Sequence, residues 1–214
     1  MKHLKPYHIY ESKEVIMASV KNAIKNNDIE LFKDITIQYS DYIDYEYATT
    51  IIWSDYTKFS FYKYVPVEYT KSIMSVNCSN RELTSLDVSG LPNLQVLKCE
   101  DNILTSLDIS NNPMLNKLVC TNNEITSLNV TNNKQLTYLD CEMNELTSLD
   151  VTMLHNLEFL DCQDNEISVL DLSMNNKLDT LFCQDNDITS LDISNTKITD
   201  RSIGYDKHKV KLIR

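Results

Sequence analysis

The fold is decided by the segment LQVLKCEDNILTSLDIS (residues 94–110), whose pattern recurs through most of this chain. Its cysteine belongs to a series of six in which each member lies 21 residues after the one before: Cys78, Cys99, Cys120, Cys141, Cys162 and Cys183. The 214-residue chain has no other cysteine. A fixed period in the twenties, with apolar residues at equivalent positions, is typical of a solenoid.

Aligned copies between Ile73 and Ile198 follow the pattern Leu-x-x-Leu-x-Cys-x-x-Asn-x-Leu-Thr-Ser-Leu-Asp-Val-Ser-x-Asn-x-x. The first, fourth and sixth residues of a copy are expected to point inward from a short strand, and the later apolar residues from a returning arm. Stacked copies then place these strands in one parallel sheet at a spacing of about 4.8 Å. No single copy can bury its own apolar face, so neighbouring copies stabilise one another.

This pattern resembles the leucine-rich repeat family, and more narrowly the bacterial 21-residue repeats that carry a cysteine, as in internalin J-like proteins. The resemblance covers six copies, which is about 126 of the 214 residues. It implies an α/β solenoid with a short parallel sheet on its concave face. It also implies a protein-binding scaffold, without indicating the partner.

Three parts of the chain are predicted. Residues 1–71 form a mainly helical, aromatic-rich N-terminal cap, residues 72–200 form six repeats and a partial seventh, and residues 201–214 form a basic C-terminal cap. The cap has a function because terminal repeats need a cover over their open core. A separate recognition domain rich in tyrosine is the alternative interpretation of residues 1–71.

Two helices are predicted in that N-terminal part. The first spans 12–26, where Ser12 is a capping residue and apolar residues recur on one face. The second begins at Asn27-Asp28-Ile29-Glu30, which has the spacing of a capping box. Further helix and irregular structure are expected over 39–69.

Two polar columns run through the repeats. The asparagines at the ninth position are expected to satisfy backbone groups where the chain leaves the strand: Asn102, Asn123, Asn144, Asn165 and Asn186. The aspartates at the fifteenth position are expected to cap turns, with Asn129 interrupting the column: Asp87, Asp108, Asp150, Asp171 and Asp192.

Charge is distributed unevenly along the chain. The net charge is −1 over residues 1–71, −14 over 72–200 and +4 over 201–214, which together give −11. An acidic solenoid disfavours direct binding to nucleic acid or to an anionic membrane. It favours a protein partner with a basic patch.

Composition and segments restrict the other classes. Two glycines, Gly90 and Gly204, are too few for Gly-rich phosphate loops. The basic N-terminus is followed by no apolar run, so neither a signal peptide nor a membrane span is expected. A cytoplasmic protein with reduced cysteines is predicted, and secretion by a route without a signal peptide stays open. The sequence indicates no oligomeric state.

No catalytic residue, cofactor or metal site is predicted. The cysteines are inward core positions, and burial makes thiols inert. They lack the paired spacing of zinc ligands. Histidines His3, His8, His155 and His208 have no paired spacing either.

Departures from the repeat at outward positions indicate where a partner binds. An exposed aromatic group on the concave sheet, rimmed by acids, is typical of a protein interface. The alternative is that loops or the C-terminal tail cover these residues. The predicted partner-binding residues are Val119, Tyr138, Asp140, Glu142, Phe159, Asp161, Gln163, Asp164, Phe182 and Asp185.

The prediction is a non-catalytic scaffold that binds a protein through the concave face, in an inhibitor, immunity or adaptor role. One alternative is an acidic inhibitor that mimics nucleic acid and blocks a nucleic-acid-binding enzyme. Another is an effector enzyme with a catalytic N-terminal segment and repeats that select the substrate.

Overall fold

The computed structural model describes residues 50–52, 58–59, 71 and 73–214 of the chain. Within these residues the secondary structure consists of short β-strands, and no helix is present. The strands are β1 (Thr50–Ile52), β2 (Lys58–Phe59), β3 (Ser75–Asn77), β4 (Ser85–Leu86), β5 (Val96–Lys98), β6 (Lys117–Val119), β7 (Tyr138–Asp140), β8 (Phe159–Asp161), β9 (Thr180–Phe182), β10 (Ser190–Asp192), β11 (Ile203–Gly204) and β12 (Lys211–Ile213).

The two predicted N-terminal helices, over 12–26 and from Asn27, lie outside the described residues. The helical cap therefore stays a prediction. The described parts of residues 1–71 that have regular structure, β1 and β2, are strands.

A parallel eight-stranded sheet has the order β1-β3-β5-β6-β7-β8-β9-β11. Its register follows the sequence period, since Leu97 pairs with Leu118, Leu118 with Leu139, and Leu139 with Leu160. Two smaller parallel pairs, β2-β4 and β10-β12, lie beside it. The predicted parallel-strand solenoid is confirmed.

The core consists of the apolar positions that repeat every 21 residues. In one copy, Leu136, Leu139, Cys141, Leu146 and Val151 are all fully buried. Burial of one such leucine side chain contributes about 2 kcal/mol. The equivalent residues of adjacent copies share this interior, which explains why the strands can be as short as three residues.

The ninth-position asparagines bind two copies together. The Nδ2 group of Asn144 donates to the backbone oxygens of Cys120, Cys141 and Glu142 at 3.0–3.1 Å. Its Oδ1 accepts from the N–H of Ile125 at 3.1 Å. The predicted role of this column in satisfying buried backbone groups is confirmed.

The eighth position is a left-handed turn, which the sequence did not indicate. Its residues have φ between 52° and 57°: Asn80, Asp101, Asn122, Met143, Asp164 and Asp185. The prediction that the eighth position lies on the outward strand face is wrong, because each strand ends three residues earlier. Asparagine and aspartate tolerate this backbone conformation better than most residues do.

A second asparagine column lies at the nineteenth position and is fully buried at Asn112, Asn133 and Asn175. Asn133 donates to the oxygens of Ile109 and Asn112, while its Oδ1 has no hydrogen-bond partner. The equivalent residue of the next copy is Leu154, also fully buried. An apolar residue therefore fits this position.

The fifteenth-position column caps turns, as predicted. Asp108 Oδ1 accepts from the N–H of Ser110 at 2.9 Å, and Asp171 Oδ1 accepts from that of Ser173 at 2.9 Å. Asn129, which interrupts the column, makes the same bond to the N–H of Thr131. These hydrogen bonds to Ser110 and Ser173 lower the pKa values of Asp108 and Asp171.

The sheet extends beyond the predicted repeats at both ends. Thr50 of β1 pairs with Ser75 of β3, 25 residues later, and both belong to a compact unit spanning Thr49–Arg214. At the other end β11 pairs with β9, and Lys209 donates to the oxygens of Asn186 and Asp187. Strands thus continue at each side of the regular copies.

The described part of the chain has no helix with the length and hydrophobicity that crossing a bilayer requires.

Candidate functional site

The outer sheet face consists of the strand side chains that point away from the core, at the third and fifth positions of each copy. Their register sets two columns across the sheet. The third-position column is Ser75, Val96, Lys117, Tyr138, Phe159 and Thr180, and the fifth-position column is Asn77, Lys98, Val119, Asp140, Asp161 and Phe182. The predicted site residues in these columns are thus brought onto adjacent strands.

Tyr138, Phe159 and Phe182 form an aromatic row on this face. The Tyr138 and Phe159 rings are stacked, with centroids 4.2 Å apart and 2° between their planes. Phe182 continues the row at 6.1 Å from Phe159 and is tilted by 58°. The rings were predicted to be exposed, but contact between them leaves each one half-buried.

A cation of the chain itself completes one end of the row. Lys117 Nζ lies 3.8 Å from the centroid of the Tyr138 ring. This geometry is a cation–π contact. Because Phe159 occupies the other face of Tyr138, the tyrosine presents mainly its ring edge to a partner.

At the other end of the row, Phe182 depends on a glycine in the neighbouring strand. Gly204 pairs with Phe182, and a Cβ atom at Gly204 would lie 2.8 Å from Phe182 Cδ1 and 2.4 Å from Gln184 Oε1. Any side chain there requires both neighbours to move. One of the two glycines of the chain therefore makes room for the last ring.

Beside the row lies a carboxylate cluster, defined here as Asp140, Glu142 and Asp161. One oxygen of each lies within 4.8 Å of the others. Asp140 Oδ1 accepts from the Thr121 hydroxyl at 2.6 Å and from the Glu142 N–H at 3.4 Å. Asp161 Oδ1 accepts from the Gln163 N–H at 3.2 Å.

Asp161 was predicted to be exposed but is buried, with 8% of its surface accessible. Burial raises the pKa of this carboxyl from its usual 3.8 to about 7. The hydrogen bond from Gln163 lowers the pKa, and the neighbouring carboxylates of Asp140, Glu142 and Asp164 raise it. The face therefore holds a carboxyl group that changes its charge near neutral pH.

The remaining predicted residues separate into two groups. Val119 and Gln163 lie beside the cluster and are half-buried, and Gln163 Oε1 accepts from Gln184 Nε2. Asp164 and Asp185 lie in the exposed left-handed turns instead of on the strands. The Asp185 N–H donates to Asp206 at 3.1 Å, which ties that turn to the C-terminal segment.

Sequence reasoning missed four residues of the site: Lys117, Thr121, Gln184 and Gly204. Thr121 and Gln184 share the seventh position with Glu142 and Gln163, so the period alone places them in the same column. The proximity of Gly204 follows from a 22-residue spacing between paired residues of β9 and β11. That spacing breaks the period of 21.

The six thiols offer no site for chemistry on the outer sheet face. All are free and buried. The Sγ–H groups of Cys120 and Cys141 donate to the oxygens of Asp140 and Asp161 at 3.4–3.5 Å. Burial raises the pKa of Cys78 and of Cys183 to about 12, which keeps these thiols protonated.

Comparison with solved structures supports the repeat assignment. The functional domain of InlJ from Listeria monocytogenes, described as including a cysteine ladder, is 35% identical in sequence with a TM-score of 0.65; the match covers 74% of this chain and 34% of that one. The chain has the leucine-rich repeat fold. The resemblance to 21-residue repeats that carry a cysteine is thereby confirmed.

Two further leucine-rich repeat structures match less closely. The internalin InlF from Listeria monocytogenes is 26% identical with a TM-score of 0.53, over 61% of this chain and 44% of that one. The leucine-rich repeat protein LIC12759 from Leptospira interrogans is 20% identical with a TM-score of 0.53, over 70% and 51%. This chain spans about a third of the InlJ domain and about half of the other two.

No protein-family model matches the sequence, and a search of curated proteins finds no match.

Proposed function

We propose that this chain is a non-catalytic scaffold that binds a protein partner through the outer sheet face, in an inhibitor, immunity or adaptor role. Leucine-rich repeat solenoids are typically protein-interaction scaffolds, and the chain has that fold. The observation that carries the proposal is the aromatic row of Tyr138, Phe159 and Phe182 beside the carboxylate cluster. Rigid aromatic anchors with a polar rim are typical of protein interfaces.

The charge of the solenoid supports a basic partner surface. Residues 72–200 carry a net charge of −14, and the cluster adds three carboxyl groups at the aromatic row itself. Complementary charge speeds association and selects among partners. A partner patch with basic residues around an apolar centre fits this arrangement.

The test is capture of a partner from a native-source lysate, with proteins identified by mass spectrometry at two salt concentrations. Wild type is compared with the triple variant Tyr138→Ala, Phe159→Ala, Phe182→Ala. The matched control replaces three exposed methionines outside the sheet with alanine: Met114, Met153 and Met174, which are 51%, 37% and 50% exposed.

A protein captured by wild type and by the methionine control, but not by the aromatic variant, supports the proposal. Equal capture by all three proteins places the binding surface elsewhere and overturns it. Capture that weakens steeply with salt indicates that the charged groups dominate, because screening weakens exposed charge pairs.

A second candidate, an acidic inhibitor that mimics nucleic acid, is favoured by one observation. Aspartates of the fifteenth-position column are exposed and held in place by backbone N–H groups, which gives a regular row of negative charge. Replacement of Asp108, Asp150, Asp171 and Asp192 by asparagine should then abolish capture of a nucleic-acid-binding protein. Retained capture would reject this candidate.

A further inference from the structure

The carboxylate cluster has no cation among the residues that the structure describes. The ion pairs formed within residues 73–214 join Lys209 to Asp187 and Arg214 to Asp200, and none involves Asp140, Glu142 or Asp161. Lys117, the basic residue next to Tyr138, lies over the ring. The negative charge of the cluster is therefore not balanced within this part of the chain.

The oxygens of the cluster are used on one side only. Asp140 and Asp161 each accept hydrogen bonds through Oδ1, from Thr121, Glu142 and Gln163. Their Oδ2 atoms and the Glu142 carboxylate accept no hydrogen bond from the described residues. The internal donors thus orient two carboxylates on adjacent strands and leave acceptor atoms for an external group.

We infer that the outer sheet face binds an arginine side chain of a partner segment, with its guanidinium at Asp140 and Asp161 and the flanking apolar residues on the aromatic row. This inference rests on the proposed function and specifies the chemistry of the partner. Charge complementarity selects a cation, and the aromatic row selects a protein segment rather than a small ion.

The geometry favours arginine over lysine. A guanidinium is planar and presents several N–H donors, so one group can reach carboxylates on two adjacent strands. It is also more weakly hydrated than an ammonium group, which lowers the cost of approaching the buried Asp161. Its flat face and stem can pack along the ring edges of Phe159 and Phe182.

Binding is coupled to a proton. With the site free, the Asp161 carboxyl holds a proton near neutral pH, because it is buried beside other carboxylates. An arriving guanidinium stabilises the charged form, and the proton leaves to solvent. Affinity for arginine therefore increases as the pH rises through about 7.

The test uses three peptides of the form acetyl-Gly-Tyr-X-Tyr-Gly-amide, where X is arginine, lysine or citrulline. Citrulline has the shape of arginine without its charge. Each peptide is titrated into the full-length, ¹⁵N-labelled chain, and amide shifts give the site and the dissociation constant. The arginine peptide should shift the amides of Glu142 and Gln163, and it should bind about tenfold more tightly than the citrulline peptide.

Variants locate the effect. The triple variant Asp140→Asn, Glu142→Gln, Asp161→Asn should bind the arginine peptide about tenfold more weakly. The control Glu124→Gln, Glu145→Gln, Glu166→Gln removes the same number of charges from exposed tenth-position residues and should bind as wild type does. The single variant Asp161→Asn should abolish the increase in affinity between pH 6 and 8.

Equal binding of the arginine and citrulline peptides overturns the arginine site, and so does an equal loss of affinity in both triple variants. Shifts produced at these amides by Ca²⁺ alone, with none from the arginine peptide, would identify a metal site instead. Failure here is separable from failure of the proposed function. A partner that is captured through the aromatic row and retained by the carboxylate variant leaves the scaffold role intact and rejects only the arginine site.

Discussion

The Oδ1 atom of Asn144 accepts a hydrogen bond from the backbone N–H of Ile125, a residue of the preceding copy, at 3.1 Å. Both groups are buried, and this bond satisfies the only polar atom that Ile125 would otherwise leave unpaired at that point. The regular stacking of copies thus rests on buried hydrogen bonds as well as on the leucine core.

The two asparagine columns should respond differently to the same substitution. Asn144→Leu leaves the Ile125 N–H buried without an acceptor, whereas Asn133→Leu removes an Oδ1 that has no partner and copies the residue found at Leu154. We expect Asn144→Leu to lower the free energy of unfolding by about 2–3 kcal/mol more than Asn133→Leu does. Urea unfolding measures both, and equal losses would contradict the assignment.

Met143 occupies a backbone conformation that suits other residues better. Its φ is 53°, and the equivalent residues are asparagine or aspartate. Met143→Asn should raise the free energy of unfolding by about 0.5–1 kcal/mol, since a left-handed backbone is strained for methionine. Met153→Asn is the control, because this exposed methionine has no positive φ. A gain of the same size in the control would indicate a surface effect.

Asp161 should make stability depend on pH. Its pKa of about 7 in the folded state exceeds the usual 3.8, so folding binds a proton between these values. The stability that this group contributes is fully present below about pH 3.8 and is lost as the pH rises through 7. Asp161→Asn should therefore be more stable than wild type at pH 8, with a difference that shrinks toward pH 4.

Asp171→Asn provides a control of opposite sign. Hydrogen bonds to Ser173 lower the pKa of Asp171, so its contribution is present above the usual pKa and is lost in acid. Wild type should be slightly more stable than this variant at neutral pH. Thermal unfolding from pH 3 to 8 compares the two, and pH profiles of the same sign would refute the assignment.

The buried thiols should be unreactive in the folded protein. Cys99, Cys120, Cys141 and Cys162 are fully buried, and desolvation raises their pKa values. An aromatic disulfide reagent should label these four only as fast as the chain unfolds, and all of them at once in denaturant. Rapid labelling of Cys141 without denaturant would show that the interior opens locally.

Gly204→Ala should disturb the end of the aromatic row without unfolding the chain. The added Cβ would approach Phe182 and Gln184 more closely than contact allows, so both must shift. We expect a loss of about 1–2 kcal/mol in the free energy of unfolding and changed NMR resonances for the Phe182 ring. Unchanged ring resonances would show that β11 moves instead.

The repeat could be predicted because one residue type marks its period. The spacing of the cysteines gave the register in which Leu97, Leu118 and Leu139 pair, and the ninth-position asparagines indicated their own role. The strand β1 could not be predicted, because Thr50 pairs with Ser75 at a spacing of 25 and has no cysteine beside it. Sequence patterns report a period, and here the period changes.

The site was predicted in outline and missed in detail. Its outward columns follow from strand alternation, which correctly grouped Tyr138 with Phe159 and Asp140 with Asp161. The burial of Asp161 depends on neighbouring side chains, and the orientation of the Phe182 ring depends on Gly204. Such contacts between columns leave no periodic signal in the sequence.

The direction of the asparagine bonds has a consequence for biosynthesis. Each ninth-position side chain reaches back to the copy before it, as Asn165 does to the oxygen of Cys141 and to the N–H of Leu146. A copy emerging from the ribosome therefore lacks polar partners until the next 21 residues have been made. Folding during translation then advances in steps of one copy, and a nascent chain halted between steps exposes one unfinished edge.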